Sequence, residues 1–206
     1  MIDLLGIARE LGKPLWRWLR RPALTVSVAL GAPDCHLTPV SLKQSDGTAI
    51  MALGYFFRLW IFNEGHAPAE QVRVFVARVL RRDAQGGYRI VREFLPMNLL
   101  WTHIGGTEAP WLQSRMGQHC EFGRIFRHAH EYFDLAVEVL PLTEWHRLQP
   151  GAYRVDLQVA AANCKPALST VELVFSGQWS NDEAQMFREG VALTVFGPAA
   201  RERVFD

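Results

Sequence analysis

The chain has 206 residues, 49% of them hydrophobic and 21% charged, and a net charge of +1. This is an ordinary globular composition, and its near balance of charge argues against general nucleic-acid binding, for which a domain is usually basic throughout. A chain of this length buries roughly 70% of its extended surface, enough for one core without metal or disulfide staples.

The charge is unevenly placed. Arg9, Lys13, Arg17, Arg20 and Arg21 against Asp3 and Glu10 leave residues 1–21 at +3 and the other 185 residues at −2. Residues 1–21 read as a basic amphipathic helical segment, with Leu4, Ile7, Leu11, Leu15, Trp18 and Leu19 on one side and the charges opposite. Pro14 divides it into two short helices, and Pro22 ends it. Trp16, Arg17, Trp18, Arg20 and Arg21 have the composition of an interfacial membrane anchor. Tryptophan suits the headgroup layer, and each arginine contributes on the order of 1 kcal/mol near anionic lipid. The competing account packs the apolar stripe on the rest of the protein or on a partner. No run of 18 apolar residues suggests a transmembrane helix.

Residues 22–178 show a two-residue alternation of apolar side chains, as in Leu24-Val26-Val28-Leu30, Val72-Val74-Val76, Phe133-Leu135-Val137-Val139, Tyr153-Val155-Leu157-Val159 and Val171-Leu173-Phe175. Successive side chains of a strand point to opposite faces, so each run carries one apolar face. Strands are expected at 23–30, 36–42, 55–62, 72–80, 88–91, 118–126, 132–140, 152–160 and 169–176. Together they predict an all-β fold, an antiparallel β-sandwich of about eight strands. Strand 55–62 places Phe57, Leu59 and Ile61 on one face and Arg58, Trp60 and Phe62 on the other. That second face is apolar enough to need a cover, either the N-terminal helix or a second copy of the protein. The strand ends at Asn63-Glu64-Gly65, where Asn and Gly tolerate a positive φ.

Residues 94–117 break the rhythm, with turns flanking a short strand at 99–104. Long irregular connections on β scaffolds tend to carry binding sites, which makes Asn98, Trp101, His103 and Trp111 candidates for a ligand or partner surface. Tryptophan serves equally well as a core filler. Residues 179–206 are read as a C-terminal helix and tail, with Ser180 as the helix cap and a last strand from Gly190 onward.

Two segments carry a family resemblance. The run Tyr55-Phe56-Phe57-Arg58-Leu59-Trp60-Ile61-Phe62-Asn63-Glu64-Gly65, followed by Val72-Arg73-Val74, is similar to a strand–Asn-x-Gly–strand hairpin. The run Leu148-Gln149-Pro150-Gly151-Ala152-Tyr153, followed by Val155, Leu157 and Val159, is similar to a late-strand pattern. Both resemble bacterial immunoglobulin-like and cell-adhesion-related (CARDB-like) domains, found in uncharacterised bacterial proteins with an N-terminal anchor segment. The resemblance implies an immunoglobulin-like sandwich in which Tyr153 packs inward and its hydroxyl bonds a nearby carbonyl, a tyrosine corner. The chain departs from that pattern in its charged, interrupted N-terminus and in lacking the inter-sheet cysteine pair. Fold resemblance alone implies little about activity.

The chemistry-bearing residues are sparse. Cys35, Cys120 and Cys164 are far apart and odd in number, which reads as buried, inert thiols in a reducing cytoplasm. His119, Cys120, His128 and His130 are weak candidates for a metal site, with His128 and His130 sharing a strand face, against the alternative of solvated histidines. A Cys120–His119 dyad fails on geometry, because adjacent strand residues point apart. The expected function is a non-catalytic protein-interaction module without cofactor or nucleic acid, an accessory or adaptor protein of the cytoplasm. It would dock a protein partner encoded nearby, or a second copy as a homodimer. A peripheral membrane sensor or recruitment protein, at the inner face of the membrane, is the alternative. An enzyme with a small metal site stands third.

Overall fold

The structure is a computed structural model, and it describes residues 21–43, 47–139 and 144–202. Its strands are β1 (Leu24–Ser27), β2 (Cys35–Lys43), β3 (Ala49–Asn63), β4 (Ala69–Arg82), β5 (Tyr88–Ile90), β6 (Met97–Asn98), β7 (Glu108–Leu112), β8 (Gly117–Phe126), β9 (Phe133–Leu135), β10 (Arg147–Leu148), β11 (Gly151–Ala161), β12 (Cys164–Phe175) and β13 (Val191–Phe196). They form two antiparallel sheets, so the all-β sandwich expected from the alternation is the fold. Thirteen strands among the described residues replace the expected eight, because pieces of two to six residues line the longer ones.

In the first sheet the order is β1-β3-β8-β9-β10, with β2 sharing an edge of β3 with β1. The second sheet runs β13-β12-β11-β4, and β7, β6 and β5 follow one another along the far edge of β4. The alternation drives the two layers together. Tyr55, Phe57, Leu59 and Ile61 of β3 meet Val72, Val74 and Val76 of β4, Val155, Leu157 and Val159 of β11, and Val171, Leu173 and Phe175 of β12 in one buried cluster. Burying a side chain of this size contributes roughly 1.5–3 kcal/mol. A bulge opposite Phe57 and Arg58 turns both Phe122 and Gly123 inward. A Cβ on Gly123 would lie 2.3 Å from the Phe133 ring, so only glycine lets that ring reach the core.

Two expected strands are shorter than their alternation. The first stops at Ser27, because the amide of Ala29 donates to the Asp34 carboxylate (3.0 Å) and turns the chain. The strand expected at 132–140 keeps only β9. The amide of Val137 donates to Leu135 (2.9 Å), Val137 then bridges to Leu99, and Val139 is exposed. The 94–117 segment has taken over this edge.

The Asn63 turn also differs in mechanism. Neither Asn63 nor Gly65 has a positive φ. Asn63 is fully buried, and its carboxamide accepts from the amides of Ala23 (3.1 Å) and Gly65 (3.0 Å) while donating to the carbonyls of Ala67 (2.8 Å) and Leu112 (3.0 Å).

At the other end, Asp182 caps the short helix α1 (Glu183–Gln185) by accepting from the Gln185 amide, where Ser180 was expected. The Ser180 hydroxyl accepts from Asp182 one turn earlier. This region packs on Tyr55, whose hydroxyl donates to the Ser180 carbonyl (3.0 Å) between the rings of Trp179 and Phe187. Beyond α1 the chain re-enters the second sheet as β13, and residues 199–201 pair with β1. The helix expected over residues 1–21 lies outside the described residues, except for Arg21.

Candidate interaction surface

The outer face of the first sheet holds a hydrogen-bonded polar cluster. Pleating points Phe56, Arg58, Trp60 and Phe62 of β3 outward, as expected, and leaves them half-buried. Register places Trp60 between Ser27 of β1 and His119 of β8, and Arg58 opposite Glu121. Arg58 Nε donates to Glu121 Oε1 (3.2 Å), which also accepts from the Thr102 hydroxyl (3.1 Å). The same guanidinium reaches the Pro33 carbonyl (3.3 Å) and lies over the Phe56 ring. His119 Nε2 is 2.8 Å from Oδ1 of the fully buried Asp34, and its imidazole stands edge-on to Trp60, 4.8 Å between centroids. Gly117 makes room for that indole, since a Cβ there would meet it at 2.3 Å.

An imidazole oriented by a carboxylate can activate a neighbouring thiol nucleophile where one lies within hydrogen-bond reach. The thiols on either side of this pair in the chain, Cys35 and Cys120, belong to the opposite face and lie in the core. Burial pushes the Cys35 thiol up to about 12 and raises Cys120 well above its ordinary range, so both stay protonated. Cys120 Sγ is also held by the Leu100 carbonyl at 3.4 Å.

The metal candidates are scattered. His119 is engaged with Asp34, and Cys120 faces inward. His128 and His130 do not share a strand face, because β8 ends at Phe126 and a short helical turn, Arg127–Ala129, follows. His128 stacks on Phe126 (5.5 Å), and His130 Nδ1 lies 3.1 Å from the Arg127 carbonyl. Among the described residues no three His, Cys, Asp or Glu side chains are placed to share an ion.

The 94–117 segment is a stitch between the sheets. No continuous strand covers 99–104. Met97 and Asn98 pair with β4, Leu99 takes the Val74 carbonyl, and Leu100 and Thr102 bond toward Ala136 and His119 of the first sheet. Trp101 is therefore a core residue, 1% exposed, with its indole donating to the Val72 carbonyl (3.1 Å), and it has no surface to offer a partner. The spacing of Leu99 and Trp101, two apart and both apolar, carried that signal. Asn98 is half-buried, with a side-chain oxygen left without a hydrogen-bond partner. His103 is exposed on left-handed backbone (φ 67°). Trp111 lies on β7 with 63% of its surface exposed, and Leu95, Ile104 and Met116 of the same segment are exposed too.

Trp16, Arg17, Trp18 and Arg20 lie outside the described residues. Arg21 is exposed and leads into Ala23, which β1 and the Asn63 turn hold in place. Asp34 and Glu121 had no local mark, although alternation about Cys120 places His119 and Glu121 on the Arg58 face. No protein family, curated protein or solved structure matches this chain.

Proposed function

We propose that the chain is a non-catalytic protein-interaction module, an accessory or adaptor protein built on an immunoglobulin-like sandwich. One observation carries the reading. The 94–117 segment is fastened to both sheets by backbone hydrogen bonds, yet presents Leu95, Ile104, Trp111 and Met116 to solvent. Exposed aromatic and methionine side chains on a rigid support are what partner surfaces use, because little ordering entropy is lost on binding. Three unbridged thiols, two of them buried, suit a reducing cytoplasm.

The immunoglobulin-like reading draws on the connection β3 to β4, which crosses between sheets, and on the pairings β3 with β8 and β4 with β11. It also draws on Tyr153, whose ring is buried and whose hydroxyl donates to the Gln149 carbonyl (2.8 Å). The test is comparative capture from native cells with the wild type and a Trp111→Ala, Leu95→Ser variant. A set of proteins lost with the variant, while its melting temperature holds, supports the proposal. Identical recovery by both refutes it.

A membrane reading rests on the basic, Trp-containing residues 1–21, which join the sandwich at the exposed Arg21. Among the described residues no helix is long and apolar enough to cross a bilayer. Flotation with anionic vesicles, with and without residues 1–20, separates it from the first proposal.

A further inference from the structure

A cleft of about 410 Å3 opens between the end of β4 and residues 144–153, with Arg81, Tyr132, Glu144, Trp145, Arg147 and Tyr153 in its wall. The volume falls within the range of small-ligand sites, and the wall combines aromatic surface with a few convergent polar groups. The two arginines are in different states. Arg147 is committed to Asp134 (3.3 Å) and Glu144 (3.2 Å) and lies over the Tyr132 ring. Arg81 lies over the Tyr153 ring, 5.7 Å from its centroid, and donates through one nitrogen to the Pro150 carbonyl (3.3 Å).

Among the described residues no carboxylate forms an ion pair with Arg81. Two arginines nearer the middle of β4 differ in this respect, since Arg73 holds Glu108 and Arg78 holds Asp156. A guanidinium has five donors in a planar fork suited to a carboxylate, and Arg81 has most of them in hand. Trp145, 40% exposed, supplies a flat apolar wall that nothing else among the described residues is seen to stack on.

We propose that this cleft binds a carboxylate carried on an aromatic ring, with the acid on Arg81 and the ring against Trp145. The carboxylate could belong to a free aromatic acid or to the C-terminal aromatic residue of a peptide. The site uses none of the residues of the 94–117 segment, so it stands or falls apart from the interaction reading above.

Titration of the full 15N-labelled chain with three probes decides it: 3-phenylpropionate, N-acetyl-Gly-Phe with a free carboxyl group, and the same dipeptide as its amide. The Trp145 indole resonance is assigned by comparison with Trp145→Phe. Either acid shifting that resonance with millimolar affinity, and the amide binding about tenfold more weakly, is the expected result; a charge-assisted pair lost is worth about that factor. Preference between the two acids identifies which source the cleft favours. Arg81→Gln weakens the acids about tenfold and Arg81→Lys less, each with an unchanged melting temperature in the absence of probe. Equal binding of acid and amide, or no shift up to about 10 mM, a weak limit of roughly −3 kcal/mol, overturns the proposal. The acid–amide comparison uses wild-type protein, so it holds even if an Arg81 variant misfolds.

Discussion

The side-chain amide of Asn63, a fully buried residue, donates to the carbonyl of Leu112 across 49 positions of sequence. Through its oxygen the same side chain receives the amide of Ala23, so one carboxamide fastens the entry into β1, the β3–β4 turn and the end of β7. All four of its hydrogen-bonding positions are filled, which is the condition under which a buried polar group stabilises a fold. The residue that ends the strongest strand therefore also holds the base of the exposed 94–117 segment.

Asn63→Ala would remove the partner of the amides of Ala23 and Gly65 and of the carbonyls of Ala67 and Leu112. At about 1 kcal/mol for each lost bond, the variant is expected to lose about 3–4 kcal/mol in urea unfolding. Asn63→Asp should cost a similar amount at neutral pH, because a carboxylate cannot donate to Ala67 and Leu112. A loss below about 1 kcal/mol for both would show that water or rearrangement replaces the amide.

The two tryptophans of the 94–117 segment should separate stability from recognition. Trp101→Ala removes a core indole and is expected to cost about 3–5 kcal/mol. Trp111→Ala should change stability by less than about 0.5 kcal/mol, as exposed substitutions do, while reducing partner capture. Melting curves of the pair check the first half, and capture yields check the second.

Tyr153→Phe deletes only the hydroxyl that donates to the Gln149 carbonyl. A loss of about 1 kcal/mol in equilibrium unfolding is expected, with the spectrum of the folded state unchanged. A neutral result would mean that the Pro150-Gly151 bend is held by packing alone.

Alkaline pH should destabilise the protein through Cys35. Burial, the largest cause, raises its thiol from an ordinary 9.0 to about 12, with the nearby Asp34 carboxylate adding to it. In the unfolded chain the thiol ionises first, so the stabilisation is intact below pH 9.0 and is lost as pH climbs toward about 12. Cys35→Ala should flatten the fall of the urea midpoint across that interval. An equally steep fall in the variant would place the sensitivity in another group, such as Tyr55, which burial and the neighbouring Glu183 and Asp182 also raise to about 12.

Gly117→Ala tests the outer face. Its new methyl would displace the Trp60 indole and with it the edge-on contact to His119. A changed Trp60 emission with a small loss of stability is expected, since the indole lies on the outer face and does not fill the core. No spectral change would mean the backbone yields there instead.

Alternation of neighbouring residues was enough to predict the sandwich, the inward faces of β3, β4, β11 and β12, and the inward turn of Cys120 away from His119, because a strand writes its two faces at a period of two along the chain. An inward Tyr153 whose hydroxyl bonds a nearby carbonyl was what the family resemblance implied, not the alternation, and its partner Gln149 is only four residues away. Tertiary structure alone decided that Trp101 fills the core while Trp111 faces solvent, and that Asp34 meets His119 85 positions away. It also decided that Arg81, Tyr132 and Trp145 wall one cleft. Those outcomes depend on register and on which strand edge a segment captures, and both are set by the packing of distant pieces against one another, which no local pattern of side chains encodes.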